Sequence, residues 1–154
     1  MKATRVAVTL AFCLLAAGVC FAQNPFIGTW KLNDAKSKFG PGATKNTTVT
    51  YEVSGDNITV TVDGMDSAGK PVHNVWTGKF DGKAYPVTGG SAGSTRSYRK
   101  IGMRTLVFTE KSGGKITTSG RIVVSADGKS RTVTSTATDA SGKKNHSTAV
   151  YDKQ

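Results

Sequence analysis

The residues of this chain best equipped for chemistry lie at positions 95–100, where Arg96 and Tyr98 are two positions apart. Side chains at that spacing share one face of an extended strand, so the guanidinium and the phenol would stand side by side. Both groups donate hydrogen bonds, and the guanidinium fork matches a carboxylate or a phosphate. The segment predicts an internal anion site if this face points inward, and an ordinary solvated strand or a weak anionic-surface patch if it points outward.

The charge distribution around this segment is one-sided. No acidic residue occurs between Asp81 and Glu110, whereas basic residues occur at Lys83, Arg96, Arg99, Lys100 and Arg104. A buried arginine without a partner is costly, so an inward-facing Arg96 would require an anion or water. Arginine is more often exposed than buried, so the outward orientation of Arg96 stays open beside the inward one.

Large aromatic side chains form a second group of candidates. Trp76 and Phe80 are four positions apart, and Leu106 and Phe108 are two apart. Each pair shares a strand face, and such side chains are generally buried for packing. We interpret these side chains as barrel core, with the wall of a ligand cavity as the alternative. The predicted ligand-binding residues are Tyr51, Trp76, Arg96, Tyr98, Phe108 and Tyr151.

The usual catalytic and metal-binding groups are sparse. His73 and His146 would meet only if two distant hairpins met, and no third ligand type lies near either in sequence, so no metal is predicted. Both cysteines, Cys13 and Cys20, fall in a segment predicted to be removed, which leaves no thiol and no disulfide. Without a nucleophile and base set, the sequence predicts no enzyme and no cofactor.

The elements that must position these residues are short strands separated by tight turns. Asp-Gly, Gly-Gly and Ser-Gly pairs recur along the chain, and they supply the positive φ angles that hairpins require. Between the turns the sequence alternates with period two, so that Val49, Tyr51 and Val53 share one face. This predicts an all-β fold, an antiparallel up-and-down meander of about eight to ten strands closed into a barrel.

The same alternation locates the individual strands. They are predicted at 27–33, 47–53, 57–63, 72–80, 84–87, 95–101, 105–111, 116–125, 131–138 and 146–152. At most one short helix is predicted, over 34–39 after the first strand, since Asn33 and Asp34 can cap it and Gly40 ends it. Similar turn sequences at 66–70 and 139–143 indicate either a weak internal repeat or reuse of one favourable turn.

Residues 1–22 have the pattern of a signal peptide. Lys2 and Arg5 precede an apolar run over 6–19, and Cys20 and Ala22 are small residues at the −3 and −1 positions of a cleavage site. The run is short for a membrane span of about 20 residues. We therefore expect a secreted or periplasmic chain, residues 23–154, that forms one domain and has no stable membrane insertion after cleavage.

The mature chain is strongly basic. Without Lys2 and Arg5, 19 basic residues stand against 10 acidic ones, a net charge of +9. Such a charge suits an anionic surface, an acidic ligand or nucleic acid, or simply keeps a protein soluble. The lysines are scattered over turns, and the aromatic residues do not interleave with the arginines, so nucleic-acid binding is not predicted.

The first strand contains a further motif, Phe26-Ile27-Gly28-Thr29-Trp30-Lys31-Leu32. Gly28 would permit close backbone approach at the start of the strand, and Trp30 with Leu32 would form an apolar plug that closes one barrel end. The segment resembles the opening strand of the calycin superfamily, which includes the lipocalins and the intracellular fatty-acid-binding proteins. Secreted bacterial lipocalin-like domains are similar in overall character.

The resemblance implies a barrel with an internal site for a small amphipathic or apolar molecule, and no catalysis. Fatty-acid-binding proteins hold the ligand carboxylate with an Arg-x-Tyr pair on the last strand. Tyr151 matches the tyrosine, but Ala149 stands in place of the arginine. The segment 34–46 is too short for that family's helical lid, and only Lys153 is available to pack on the motif tryptophan as in lipocalins.

Two functional hypotheses follow. The first is a secreted or periplasmic, non-catalytic binding protein for a small amphipathic, apolar or anionic ligand, with Gly28 and Trp30 closing the barrel. The alternative is a structural or interaction module whose basic surface contacts an anionic envelope surface or a partner protein. The two differ in whether the inward side chains leave room for a ligand. Neither the ligand nor the oligomeric state is predicted.

Overall fold

Ten antiparallel strands follow one another along the described part of the chain. The structure is a computed structural model that describes residues 24–154, so the predicted signal peptide over 1–22 lies outside the described residues. The strands are β1 (Gly28–Leu32), β2 (Lys45–Ser54), β3 (Asn57–Met65), β4 (Pro71–Gly78), β5 (Asp81–Thr88), β6 (Thr95–Gly102), β7 (Thr105–Ser112), β8 (Lys115–Val124), β9 (Ser130–Thr138) and β10 (Lys144–Lys153). A 3₁₀ turn, Asp34–Lys36, stands where the short helix is predicted.

The strands pair in chain order and close on themselves. β1 pairs with both β2 and β10, so each of the ten described strands has a neighbour on both sides. The predicted all-β meander and its closure into a barrel are therefore confirmed. Pairing is shortest between β4 and β5, where only Val75 with Thr88 and Trp76 with Val87 are in register. Within residues 24–154 there is no helix of the length and apolarity needed to span a membrane.

Aromatic side chains fill one end of the barrel, where β1 begins and the turn after β4 lies. Phe26, Trp30 and Trp76 have no exposed surface there. The ring centroid of Trp76 lies 6.4 Å from that of Phe80 and 4.8 Å from that of Tyr98. Aromatic pairs at such distances add to the stabilisation from burial. We call this group the aromatic end, and it leaves the opposite half of the barrel to be filled otherwise.

Gly28 and Trp30 lie at the aromatic end and contact the last strand. The Trp30 indole Nε1 donates to the Phe26 carbonyl at 2.9 Å, and the Lys153 ammonium lies 5.2 Å from the centre of the Trp30 ring. Gly28 has a φ of +119°, and a Cβ there would stand 2.9 Å from Lys153 Cε. Glycine thus suits both the backbone angle and the passage of the lysine stem towards the tryptophan.

The two similar turn sequences form the same local structure. Asp66 Oδ1 accepts hydrogen bonds from the backbone N–H of Ala68 and Lys70, at 2.8 and 2.9 Å. Asp139 Oδ1 accepts in the same way from Ser141 and Lys143, at 3.0 and 2.9 Å. Aspartate favours such turns because its side chain bonds the backbone that follows it. Both turns lie at the barrel end opposite the aromatic end.

Gly120 packs against Phe108 in the barrel wall, and this contact gives a test of the packing. A Cβ at Gly120 would lie 2.6 Å from Phe108 Cε1 and would also clash with the Thr134 carbonyl oxygen. We expect Gly120→Ala to lower the free energy of unfolding by about 1–3 kcal/mol through overpacking. Gly102→Ala is the matched control, since its Cβ would meet nothing closer than 3.7 Å. Urea denaturation measures both, and equal losses would contradict the packing described.

Candidate ligand-binding site

The half of the barrel opposite the aromatic end is hollow. A cavity of about 430 Å³ opens between residues 42–44 and 90–94. A deeper space of about 60 Å³ continues from it toward the aromatic end. The two share the lining residues Asn46, Arg96, Phe108, Glu110, Val133 and Tyr151. Small-molecule cavities typically measure about 300–1,000 Å³, so the inward side chains leave room for a ligand.

Arg96 and Tyr98 point into the barrel from β6. Arg96 is 7% exposed and Tyr98 is 4% exposed. Arg96 Nε donates to Glu110 Oε1 at 2.6 Å, and Nη2 donates to Asn74 Oδ1 at 3.0 Å. The third nitrogen, Nη1, is buried without a hydrogen-bond partner among the described residues. The sequence led us to expect an anion or water as the partner of an inward-facing Arg96, and the structure shows that the Glu110 carboxylate on β7 is one such partner.

The environment of Arg96 and Tyr98 shifts the pKa of both side chains. Burial lowers the pKa of the Arg96 guanidinium, but Tyr98 and Glu110 beside it outweigh burial and raise that pKa. Burial, with Tyr51 nearby, raises the pKa of Tyr98, and Arg96 only partly opposes this. At neutral pH Arg96 is therefore a cation and Tyr98 a neutral phenol that can donate or accept a hydrogen bond.

Arg131 on β9 is a second buried guanidinium, and it lines the deeper space. It is 2% exposed, and its Cζ lies 5.0, 5.0 and 4.7 Å from the ring centres of Trp30, Tyr51 and Tyr151. Cation–π attraction to three rings holds the charge in place. It does not replace hydrogen bonds, and within residues 24–154 neither Nε nor Nη1 has a partner. Such donors are costly to bury unless an anion or water binds them.

The predicted ligand-binding residues divide between cavity and core. Tyr51, Arg96, Tyr98, Phe108 and Tyr151 line the deeper space. Trp76 does not line either space; it packs in the aromatic end, and its Nε1 donates to the Arg96 carbonyl at 2.7 Å. Period-two alternation gives the inward face of a strand but not the depth along the barrel, which explains why core and cavity wall could not be separated.

Sequence reasoning misses Arg131, Glu110 and Asn74 as members of the site. A signal for Arg131 was present, because it is two positions before Val133 and so shares the face of an apolar residue that lines the cavity. The register also places Arg131 directly opposite Tyr151. The interior therefore has an arginine on β9 beside Tyr151, whereas position 149 on the last strand is an alanine.

The two histidines lie on different strand pairs, and each has its own partner. His73 Nδ1 is 2.6 Å from Asp63 Oδ1, and His146 Nδ1 is 2.9 Å from Thr136 Oγ1. Both contacts are exposed to solvent. Over residues 24–154 there is no group of three or more His, Cys, Asp or Glu side chains placed to hold a metal ion.

The burial of Tyr151 predicts a loss of stability at high pH. Burial raises the pKa of Tyr151 to about 12, although the Arg131 charge opposes the shift. In the unfolded chain a tyrosine ionises near pH 10, so stability present below about pH 10 is lost as the pH rises towards 12. We expect this phenol to contribute about 2–3 kcal/mol to that loss. Urea denaturation across this range should show a smaller loss for Tyr151→Phe, whereas parallel curves would contradict the assignment.

Solved structures of other proteins have a barrel similar to this one. The sequence matches no protein-family model and no curated protein. A Schistosoma mansoni fatty acid binding protein in complex with arachidonic acid aligns over 84% of this chain and 96% of its own, with a TM-score of 0.54 and 18% identity. EF1p2_mFAP2b bound to DFHBI aligns over 84% and 94%, with a TM-score of 0.51 and 13% identity. The chain therefore shares the barrel fold of these two proteins, and at these identities the likeness shows the fold alone.

Proposed function

We propose that this protein binds a small amphipathic acid inside its barrel, with the acid group at Arg131 and the remainder in the larger cavity. One observation carries the proposal. The buried side-chain nitrogen and oxygen atoms that lack a partner in the described residues are Ser94 Oγ, Arg96 Nη1, Arg131 Nε and Arg131 Nη1. Each of these residues lines the cavity or its deeper extension. Unsatisfied polar groups are rare in folded proteins, and their concentration around one hollow points to a ligand or to water as their partner.

The charge of the interior favours an acid. Arg96 and Arg131 are cations, and Glu110 is the one carboxylate among the described residues that line the two spaces. Glu110 is bonded to Arg96, which leaves Arg131 without a carboxylate partner in that lining. A carboxylate can accept two parallel hydrogen bonds from a guanidinium edge. The deeper space of about 60 Å³ has room for such a group or for a few waters.

The wall of the larger cavity suits the rest of an amphipathic molecule. Apolar side chains from several strands alternate there with serine and threonine hydroxyls; the apolar ones include Val72, Val87, Phe108, Val133 and Ala149. The Schistosoma mansoni protein with the same type of fold is in complex with arachidonic acid, which is an amphipathic acid. A medium-length acid whose chain points towards the mouth is therefore the class of ligand we propose.

We further propose that the protein acts outside the cytoplasm and binds without catalysis. The charged pattern, apolar run and small residues of positions 1–22 support export. Phe26 is fully buried at the aromatic end, and cleavage before Gln23 would keep this residue in the mature chain. The strongly basic mature chain is consistent with a role near anionic envelopes.

Purification from the native host tests the proposal even while the ligand is unidentified. Native mass spectrometry of the mature protein should show an added small mass, and solvent extraction should release an amphipathic acid. The same protein should give saturable fluorescence with anilinonaphthalene sulfonate, and decanoate should displace this probe better than decanol does. A barrel that carries no added mass and shows no saturable probe binding would contradict the proposal and favour water in the cavity.

A further inference from the structure

The aromatic end of the barrel carries an exposed apolar projection on its outside. The hairpin that joins β6 to β7 has Ile101 43% exposed and Met103 82% exposed. Val123 on β8 is 39% exposed and lies beside this hairpin, because it pairs with Thr105. Three of the six large apolar side chains exposed in the described residues thus lie on neighbouring strand ends. We call Ile101, Met103 and Val123 the hairpin tip.

Basic side chains surround the hairpin tip. They are Arg99, Lys100, Arg104 and Arg121, and all four are exposed. Arg99 and Arg121 flank Val107 on either side in the sheet register. One acidic residue, Asp81, lies opposite Arg99 in the sheet register. The four basic side chains and Asp81 together have a net charge of +3. Asp127 in the turn after β8 accepts from the backbone N–H of Lys129, whose own charge offsets it.

We propose that the hairpin tip docks onto the surface of an anionic lipid bilayer, with Met103 and Ile101 in the interface and the four basic side chains against the headgroups. The projection is the end of a hairpin, which suits contact with a broad surface better than contact with an extended peptide. Three side chains are too few for a protein interface, which buries roughly 1,200–2,000 Å². A bilayer, in contrast, adds small apolar insertions to the attraction of several cations for anionic lipid.

The position of the tip leaves the ligand cavity accessible during docking. The mouth of the cavity lies between residues 42–44 and 90–94, and the turns at Asp66 and Asp139 lie at that same end. The hairpin tip lies at the opposite end, with the aromatic cluster between it and the cavity. Docking would therefore hold the barrel at a membrane with its mouth facing the solvent, and it does not depend on the ligand that we propose for the interior.

Cosedimentation with vesicles tests this inference. The mature protein should bind vesicles of mixed phosphatidylglycerol and phosphatidylcholine strongly and vesicles of phosphatidylcholine alone weakly, and added salt should release it. Each basic side chain near an anionic surface contributes about five-fold to partitioning. The double substitution Lys100→Gln with Arg104→Gln should therefore weaken binding by about 20- to 30-fold. Met103→Asp should weaken it further when added to that pair.

The matched control removes the same charge from the other end of the barrel. Lys70 and Lys143 are exposed lysines in the two similar turns, and replacing both by glutamine should leave vesicle binding within about two-fold of the wild type. All variants carry exposed substitutions, and their unfolding midpoints should match that of the wild type. Equal losses in the two charge pairs would overturn the proposal, because binding would then follow net charge alone. Absence of binding to phosphatidylglycerol vesicles would overturn it as well.

Discussion

Replacing Arg131 by methionine is expected to weaken the binding of an amphipathic acid by 100-fold or more while the barrel stays folded. Methionine is similar in length and packs well against aromatic rings, so the contacts with Trp30, Tyr51 and Tyr151 are largely kept. Two charge-assisted hydrogen bonds to the ligand would be lost, each contributing roughly 1.5–3 kcal/mol. Isothermal titration of both proteins with decanoate measures the loss.

The same substitution should not destabilise the empty protein. The wild type buries two guanidinium nitrogens, Nε and Nη1, without partners among the described residues, and replacing such a charge by an apolar side chain removes that penalty. The loss of cation–π attraction offsets part of the gain, so we expect a free energy of unfolding that is unchanged or higher by up to about 2 kcal/mol. Decanol, which has no acid group, serves as the control ligand, and its affinity for the two proteins should be similar. Undiminished decanoate binding by the variant would contradict the site.

Arg96 is a weaker test of the same idea. Its Nε is bonded to Glu110 and its Nη2 to Asn74, so its removal would leave both partners unsatisfied in a largely buried position. A loss of binding in such a variant would not separate ligand contact from damage to the barrel. Replacing Arg131 does not have this drawback, because among the described residues its guanidinium lies against the rings of three aromatic side chains and not against a carboxylate or an amide.

Replacing Trp30 by alanine is expected to lower the free energy of unfolding by about 3–5 kcal/mol. The side chain is fully buried, and its removal would leave a cavity at the aromatic end. The Phe26 carbonyl would lose the indole N–H, and Arg131 would lose one of its three rings. Because the free energy of unfolding of a small domain is only about 5–15 kcal/mol, this substitution would remove a large share of the total stability.

Urea or thermal unfolding with tryptophan-independent detection, such as far-ultraviolet circular dichroism, measures this effect. Val53→Ala is a suitable control, since Val53 is 65% exposed and a surface truncation of this kind changes stability by about 0.5 kcal/mol or less. A loss of less than about 1 kcal/mol for Trp30→Ala would show that this residue is not central to closing the barrel end.

The strands were predictable because their signals are local. Alternation and glycine turns place β8 at 116–125, and the structure has it at Lys115–Val124. The errors occur where pairing is irregular. The strand predicted at 84–87 extends over Asp81–Thr88, with a register shift between Asp81 and Ala84. The strand predicted at 72–80 ends at Gly78, so Phe80 belongs to a turn although its ring packs in the core.

The site was less predictable because it is assembled by closure of the barrel. Arg96 and Tyr98 are neighbours on one strand, so their pairing was visible in sequence. Glu110 reaches Arg96 from the next strand, and Arg131 meets Tyr151 only through the register of β9 with β10. Such contacts depend on long-range register, which alternation leaves open until one face is known to be buried. The orientation of Arg96 could not be decided for the same reason.

Titration of a bound carboxyl group tests most directly whether an acid lies at Arg131. Decanoate labelled at its carboxyl carbon can be followed by NMR as the pH is lowered. With the wild type we expect the bound carboxyl to stay ionised well below the pH at which it protonates in water, because a neighbouring guanidinium favours the charged form. With Arg131→Met, any bound acid should protonate at a higher pH, since burial alone favours the neutral form. A wild-type complex whose carboxyl protonates as in water, or above that pH, would contradict an acid held by Arg131.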